Sequence, residues 1–336
     1  MRRARVATVV LLCCLLALAL LPLFAEKYYI QLFTKMMIMA IFAMSLDLLV
    51  GYTGLVSLGH AAFFGLAGYA LAFAAPQYEA ANLWLSLPLA MAGSALLALV
   101  IGALVLRTSG IYFIMVTLAF AQMVFFVFHD TKIAGGADGI YVYAKPVADI
   151  AGWAPFNLEN HTHFYFVVLV LLVLVYASLR MLLASLFGRV IVGIRVNEQR
   201  MRSIGYRTFR YKLVCFVIAG ALAGMAGYFA AAQFGFVSPD ILGWHTSGGV
   251  LMMVILGGMG TLNGAILGAF AMLLLELGFQ GLPVVGGVDI GKHWQLLMGG
   301  FIVFAVLLLP HGLLGLGRLA SRLLRKPAEV AEAGDG

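Results

Sequence analysis

The chain is built from apolar runs long enough to cross a bilayer, near residues 6–25, 30–50, 56–75, 84–106, 111–129, 163–184, 213–233, 242–279 and 294–312. A span takes about 20 apolar residues, and in lipid each segment must pair its own backbone N–H and C=O groups. The period-two alternation of barrel strands is absent from these runs, so they are expected to be helices. Apolar residues make up 63% of the 336 and charged residues 10%, with a mean hydropathy of +1.04. Such a composition leaves no room for a sizeable soluble domain. The expected fold is an all-α polytopic membrane protein. Its first run, Val6 to Ala25, is followed by Glu26, Lys27 and further spans, and so reads as a retained helix rather than a signal peptide.

Three basic clusters carry the formal charge of +7: Arg2, Arg3 and Arg5; the segment 188–212; and Arg318, Arg322, Arg325 and Lys326. Lys and Arg of short loops stay on the cytoplasmic side, so an even number of crossings separates successive clusters. Six runs precede the middle cluster. Only three follow it, so the 242–279 run is expected to be two helices, broken in Gly257-Gly258-Met259-Gly260-Thr261-Leu262-Asn263-Gly264, where four glycines and an Asn favour a tight turn. The result is about ten transmembrane helices with both termini cytoplasmic. Gly51-Tyr52-Thr53-Gly54 is a second Gly-broken turn of the same orientation, and the two Gly-broken helix pairs read as a short internal repeat. The chain divides into an N-terminal end and first span (1–35), a transmembrane domain (36–317) and a cytoplasmic tail (318–336). Basic residues that flank spans report topology, and they argue against nucleic acid as a partner.

The middle cluster, GRVIVGIRVNEQRMRSIGYRTFRYK, sets Arg189, Arg195, Arg200, Arg202, Arg207, Arg210 and Lys212 against one acid, Glu198. Val196 to Ile204 reads as a short helix stopped by Gly205, with Thr208 capping the helix that follows. Glu198 falls in its first turn, where a carboxylate suits the N-terminal dipole, or pairs with a basic residue of a partner. A short helix across the inner face is a surface on which a partner can push. A loop resting on anionic headgroups, each Arg adding about 1 kcal/mol, accounts for the charge as well.

Few ionisable groups enter the spans: Asp47, His60 and Glu276 lie in or beside them, with the amide Gln122. Asp47 and His60 fall near cytoplasmic span ends, where solvated capping groups are expected as readily as transport groups. No relay of carboxylates or histidines crosses the spans, and there is no H-E-x-x-H, no G-x-S-x-G and no complete G-x-x-x-x-G-K-[ST]. Cys13, Cys14 and Cys215 lie in or beside apolar runs without metal-ligand spacing. The chain is therefore not expected to be an enzyme or to hold a metal. If it works against a gradient, the nucleotide-hydrolysing machinery is on another chain. The outer loop 130–162 is longer than a turn requires and carries Asp130, Asp138, Asp149 and Glu159 against Lys132 and Lys145; contact with an extracytoplasmic partner is expected there, centred on Gly135, Gly136 and Asp138.

Five stretches together resemble the LivM-type permeases of bacterial branched-chain amino acid ABC importers. They are SLDLLVGYTGLVSLGHAAFFGLAGY at 45–69, SGIYFIMVTLAFAQ at 109–122, GGADGI at 135–140, VNEQRMRSIGYRTFRYKLVCFVIAGALAGMAG at 196–227 and GGVLMMVILGGMGTLNGAILGA at 248–269. The sequence departs from the family pattern at Ala134, where Thr is common, and at Gln199-Arg200-Met201, where an alanine pair is frequent. The resemblance implies a pore formed in the inner (plasma) membrane with a homologous LivH-type permease. It also implies two cytoplasmic LivG/LivF-type ATPases, which bind ATP and Mg while this chain binds no cofactor, and an extracytoplasmic solute-binding protein. Glu198, Arg200, Met201, Arg202, Ser203, Ile204 and Gly205 then correspond to the helix that couples permease to ATPase. The Gly-broken turns, with Gly51, Tyr52, Thr53, Gly54, Ser57 and His60 in one and Gly257, Gly258, Gly260, Thr261, Asn263 and Gly264 in the other, are placed near the translocation path. The family also includes urea and amide importers, and a self-sufficient secondary transporter is the reading from a different class.

Overall fold

The computed structural model describes residues 17–75, 79–149, 156–285, 288–309 and 312–315. The two terminal basic clusters, the first part of the expected 6–25 span and the tail 318–336 lie outside them, and residues 17–24 are helical. In chain order the helices are α1 (Lys27–Asp47), α2 (His60–Ala74), α3 (Leu83–Val105), α4 (Ile111–Asp130), α5 (His161–Ala184) and α6 (Leu186–Val196). They continue with α7 (Glu198–Ser203), α8 (Thr208–Phe234), α9 (Trp244–Gly257), α10 (Leu262–Gln280) and α11 (Trp294–Leu308). Among the described residues, seven helices are long and apolar enough to cross a membrane.

At the centre is α1, a helix apolar on all sides and therefore suited to a core. All residues from Met36 to Val50 except Met39 are buried, because α5, α8, α9 and α10 pack around it. It runs unbroken through residues 35 and 36. Small residues let the next layer approach closely: a Cβ at Gly227 would lie 1.8 Å from the Phe64 carbonyl oxygen, and one at Gly268 1.9 Å from that of Met253. Contacts between α8 and α2, and between α10 and α9, are thus backbone to backbone. By contrast, few residues of α4 and α11 are buried, as in helices bordering lipid or another membrane subunit.

Two helices fall short of a span. At 15 and 14 residues, α2 and α9 are about 22 and 21 Å long, against a hydrocarbon core of about 30 Å. The expected span 56–75 is corrected accordingly: residues 54–59 are not helical and α2 begins only at His60. Non-helical backbone at this depth requires partners within the protein.

The ends of the bundle differ. At one end the outer loop is pinned by antiparallel pairing of β1 (Ile140–Tyr141) with β2 (Phe236–Val237), the link between α8 and α9, and by a bridge between Asn82 and Val147. At the other end lie the Gly51 and Gly257 turns and the basic segment. In a chain whose own cysteines have been replaced, a cysteine at the exposed Asn263 is expected to react with an impermeant thiol reagent only when the cytoplasmic face is accessible. Labelling from outside intact cells would reverse the assigned orientation.

Candidate functional site

The site begins where α1 runs out. After a π-helical turn, Leu48–Thr53, Gly54 takes a left-handed conformation (φ 75°) and the chain continues without helix to α2. Four N–H groups in and beside this stretch have protein acceptors. Leu55 N–H donates to the Leu49 carbonyl at 2.9 Å, Leu58 N–H to Thr117 Oγ1 of α4 at 3.3 Å and Gly59 N–H to Ser57 Oγ at 3.2 Å. Ala61 N–H donates to Ser247 Oγ of α9 at 2.8 Å. An unpaired backbone group would cost several kcal/mol here, so Thr117 and Ser247 hold the break open at low cost. His60, expected at a solvated span end, is instead fully buried: its Nε2 lies 2.9 Å from Ser45 Oγ and its ring stacks on Phe42.

The two glycine turns meet directly. Asp47, also expected to be solvated, is fully buried at the end of α1 and its Oδ1 accepts the Gly260 N–H at 2.8 Å. Its carboxylate therefore sits at the start of α10, where the helix dipole favours negative charge. Gly51 lies between: a Cβ there would be 2.2 Å from Asp47 Oδ1 and 2.4 Å from the Gly260 nitrogen. Gly258 and Gly260 adopt positive φ (119° and 79°), and Thr261 Oγ1 donates back to the Gly258 carbonyl at 2.8 Å. A third element joins this node. Arg195, at the end of α6, donates from its guanidinium to the Gly51 carbonyl, packs its stem on Gly54 and lies close enough to interact with the Asp47 charge.

The basic segment runs through the rest of α6, all of α7 and the first turn of α8, and the short helix expected over Val196 to Ile204 is corrected to Glu198–Ser203. Val196 ends α6, and Asn197 breaks the chain (φ −157°) and caps α7, its Oδ1 accepting the Arg200 N–H at 2.9 Å. Asn competes for backbone N–H groups and so favours a cap over a helix interior. Gly205 (φ 96°) closes α7 with two reversed bonds, Gly205 N–H to the Arg202 carbonyl at 2.9 Å and Tyr206 N–H to the Met201 carbonyl at 3.1 Å, the glycine-dependent C-terminal cap. Thr208 makes no capping bond. Its hydroxyl serves Glu198 instead.

Glu198 lies in the first turn of α7, as expected, and of the alternatives open for its carboxylate, pairing with a partner's base gives way to partners within the chain. Its carboxylate accepts from Arg202 at 2.7 Å, Thr208 at 2.9 Å and Lys212 at 2.5 Å. The contact with Lys212, whose side chain is 11% exposed, outweighs the exposed Arg202 pair: about 1.5–3 kcal/mol for a charged hydrogen bond against about 0.3–0.5 kcal/mol. Burial pushes the Glu198 carboxyl up, but the bonds from Lys212, Arg202 and Thr208 and the Lys212 charge hold it below the usual carboxylate range. The stabilisation is present above the carboxyl's unfolded pKa and is lost as pH falls through the lowered folded value. With α7 fastened to α8 in this way, Met201 turns back onto α6, where a Cβ at Gly193 would lie 2.9 Å from Met201 Sδ. Arg200, Arg202, Ser203 and Ile204 remain exposed.

Residues 28–309 match the family described as branched-chain amino acid transport system / permease component. The chain belongs to this permease family. The high-affinity branched-chain amino acid transport system permease protein LivM of Salmonella typhimurium and that of Escherichia coli are each 31% identical to it over 331 residues, 93% of this chain and 76% of the relative. The autoinducer 2 import system permease protein LsrC of Photorhabdus luminescens is 32% identical over 148 residues, 41% of either chain. No solved structure matches.

In this permease Gly135, Gly136 and Asp138 are at the opposite end from the glycine node. Gly135, Gly136 and Gly139 all have positive φ (75°, 60° and 72°), and the resulting tight loop leaves Asp138 exposed. Among the described residues no cluster of three His, Cys, Asp or Glu could hold a metal. Arg195, Thr117 and Ser247 went unremarked in the sequence as members of the node. Arg195 was one charge among seven, and the buried hydroxyls gain meaning only from the breaks they satisfy. Replacing Gly51 by Ala is expected to cost about 1–3 kcal/mol or more by overpacking, lowering the yield and thermal midpoint of detergent-purified permease. Gly248→Ala, with no atom within 4 Å of the new Cβ, is expected to leave both unchanged; equal behaviour of the two variants would disprove the packing of the node.

Proposed function

We propose that the chain is the membrane-spanning permease subunit of an ABC importer in the bacterial inner membrane, carrying branched-chain or related amino acids into the cytoplasm. ATP hydrolysis on two separate subunits drives the transport, and a second permease completes the pore. The amino-acid reading is supported by similarity to the LivM proteins over 93% of the chain, against 41% and 40% for the autoinducer 2 and xylose permeases. Membership of a transport-system permease family speaks against a self-sufficient carrier.

The observation that carries the mechanism is the fastening of α7. An element that transmits force must be ordered, exposed on one side and connected on the other. Its exposed residues form the seat for an ATPase, and Met201 on Gly193 joins α7 to α6. Arg195 then joins α6 to Gly51, and Asp47 joins Gly51 to Gly260. A displacement of α7 thereby reaches α1, α2 and α10 at their interrupted ends. On this reading Glu198 and Arg195 act at successive steps. Glu198→Lys, which sets a third cation among Arg202 and Lys212, is expected to reduce co-purification of the ATPases and uptake together, by roughly 10- to 100-fold for loss of a charged bond. Arg195→Gln is expected to preserve co-purification while lowering uptake. Normal uptake in both variants would remove the coupling role.

The pinned outer loop offers Asp138 to a solute-binding protein. Asp138→Lys is expected to weaken the stimulation of ATP hydrolysis by the loaded binding protein in proteoliposomes, more so at low salt because the contact is electrostatic. Unchanged stimulation would leave Asp138 as a solvated loop residue.

A further inference from the structure

The capture of Lys212 and Arg202 by Glu198 leaves Arg207 and Arg210 without an ion pair among the described residues. They are three residues apart at the start of α8, and with Tyr211 and Val214 they occupy one face at helical spacing. Beside that face is a cavity of about 470 Å³, walled on the far side by Phe187 of α6 and rimmed by Tyr206. Its aromatic groups support one another: Phe187 stacks on Tyr211 with ring centroids 5.5 Å apart, and Tyr206 meets Tyr211 edge-on at 6.0 Å. The lining thus combines two cations, three aromatic rings and, where the apolar part of α8 begins, Val214, which is 46% exposed.

A purely polar ligand has no use for the Val214 end, and an acidic protein surface would have to follow the helix about 10 Å, seven residues of rise, into the span to fill it. An amphiphile with a negative headgroup satisfies both ends at once. Basic pockets on the cytoplasmic side of spans hold anionic headgroups, and aromatic side chains suit the interfacial depth. We infer that this cavity is a binding site for one anionic phospholipid of the inner leaflet, its phosphodiester between Arg207 and Arg210 and an acyl chain over Tyr211 and Val214. The inference rests on the proposed orientation of the basic end towards the cytoplasm. The lipid clamps the junction of α6 and α8 beside α7, on a flank separate from the exposed face of α7 offered to the ATPase.

The test uses the full-length chain in detergent, mixed with phosphatidylglycerol and phosphatidylcholine in equal amounts, and reads retained lipid by native mass spectrometry. Retention of one phosphatidylglycerol in preference to phosphatidylcholine is expected. The Arg207→Gln/Arg210→Gln double variant should lose it roughly 30-fold, since each arginine near anionic lipid contributes roughly fivefold. Arg207→Lys/Arg210→Lys should recover most of it, which separates charge from any folding defect. Equal retention of both lipids, or unchanged retention by the glutamine variant, would overturn the site. Displacement by inorganic phosphate would identify a simple anion site and overturn the lipid. No ATPase is present, so the result is independent of the proposed importer assembly. Loss of ATPase co-purification by the glutamine variant at unchanged lipid retention would assign the arginines to protein docking and likewise overturn the inference.

Discussion

Lipid offers no partner to a backbone N–H or C=O, and where this permease departs from simple helices, groups from other helices supply bonds that lipid cannot. Around the break between α1 and α2 the acceptors are hydroxyls from distant helices, Thr117 and Ser247, together with the local Ser57. At the turn between α9 and α10 the acceptor is a buried carboxylate, Asp47. A break of this kind is stable because it is shared: the groups satisfying one interrupted helix belong to others. The interrupted ends consequently cannot move independently, a property suited to a protein that must open and close as a unit.

Charge is used with similar economy. Seven bases and one acid in the middle segment are more than orientation requires, and the structure divides them by task. Glu198 gathers Arg202 and Lys212 to fasten α7, and Arg195 reaches the glycine node. Arg207 and Arg210 border an aromatic cavity. Because Glu198 is already saturated inside the chain, the exposed basic and apolar residues of α7 are the ones left to meet the proposed ATPase.

The long apolar runs were legible because the bilayer leaves a run of 20 apolar residues one solution, and α3, α4, α5, α8 and α10 lie close to the expected bounds. The left-handed turn at Gly205 was legible for a local reason, since a residue without Cβ is favoured there. Helix boundaries within the basic segment were less so: Asn197 was available as a cap, but a continuous helix across it satisfied the same pattern. The burial of Asp47 and His60 was not legible, because hydropathy places them at span ends and cannot say whether water or protein lies beyond.

By itself, then, the sequence determined an all-helical membrane protein, its basic segment and the glycine punctuation that interrupts two helices, since each depends on local composition and on the solvent the chain enters. Only the tertiary structure decided that the Gly51 and Gly257 turns touch, that Arg195 reaches them and that α2 and α9 are too short to cross alone. The contacts of the glycine turns join groups far apart in sequence, with separations of 144 between Arg195 and Gly51 and 213 between Gly260 and Asp47. The bonds become favourable only when packing has removed water from between them, and no local pattern in one chain encodes that.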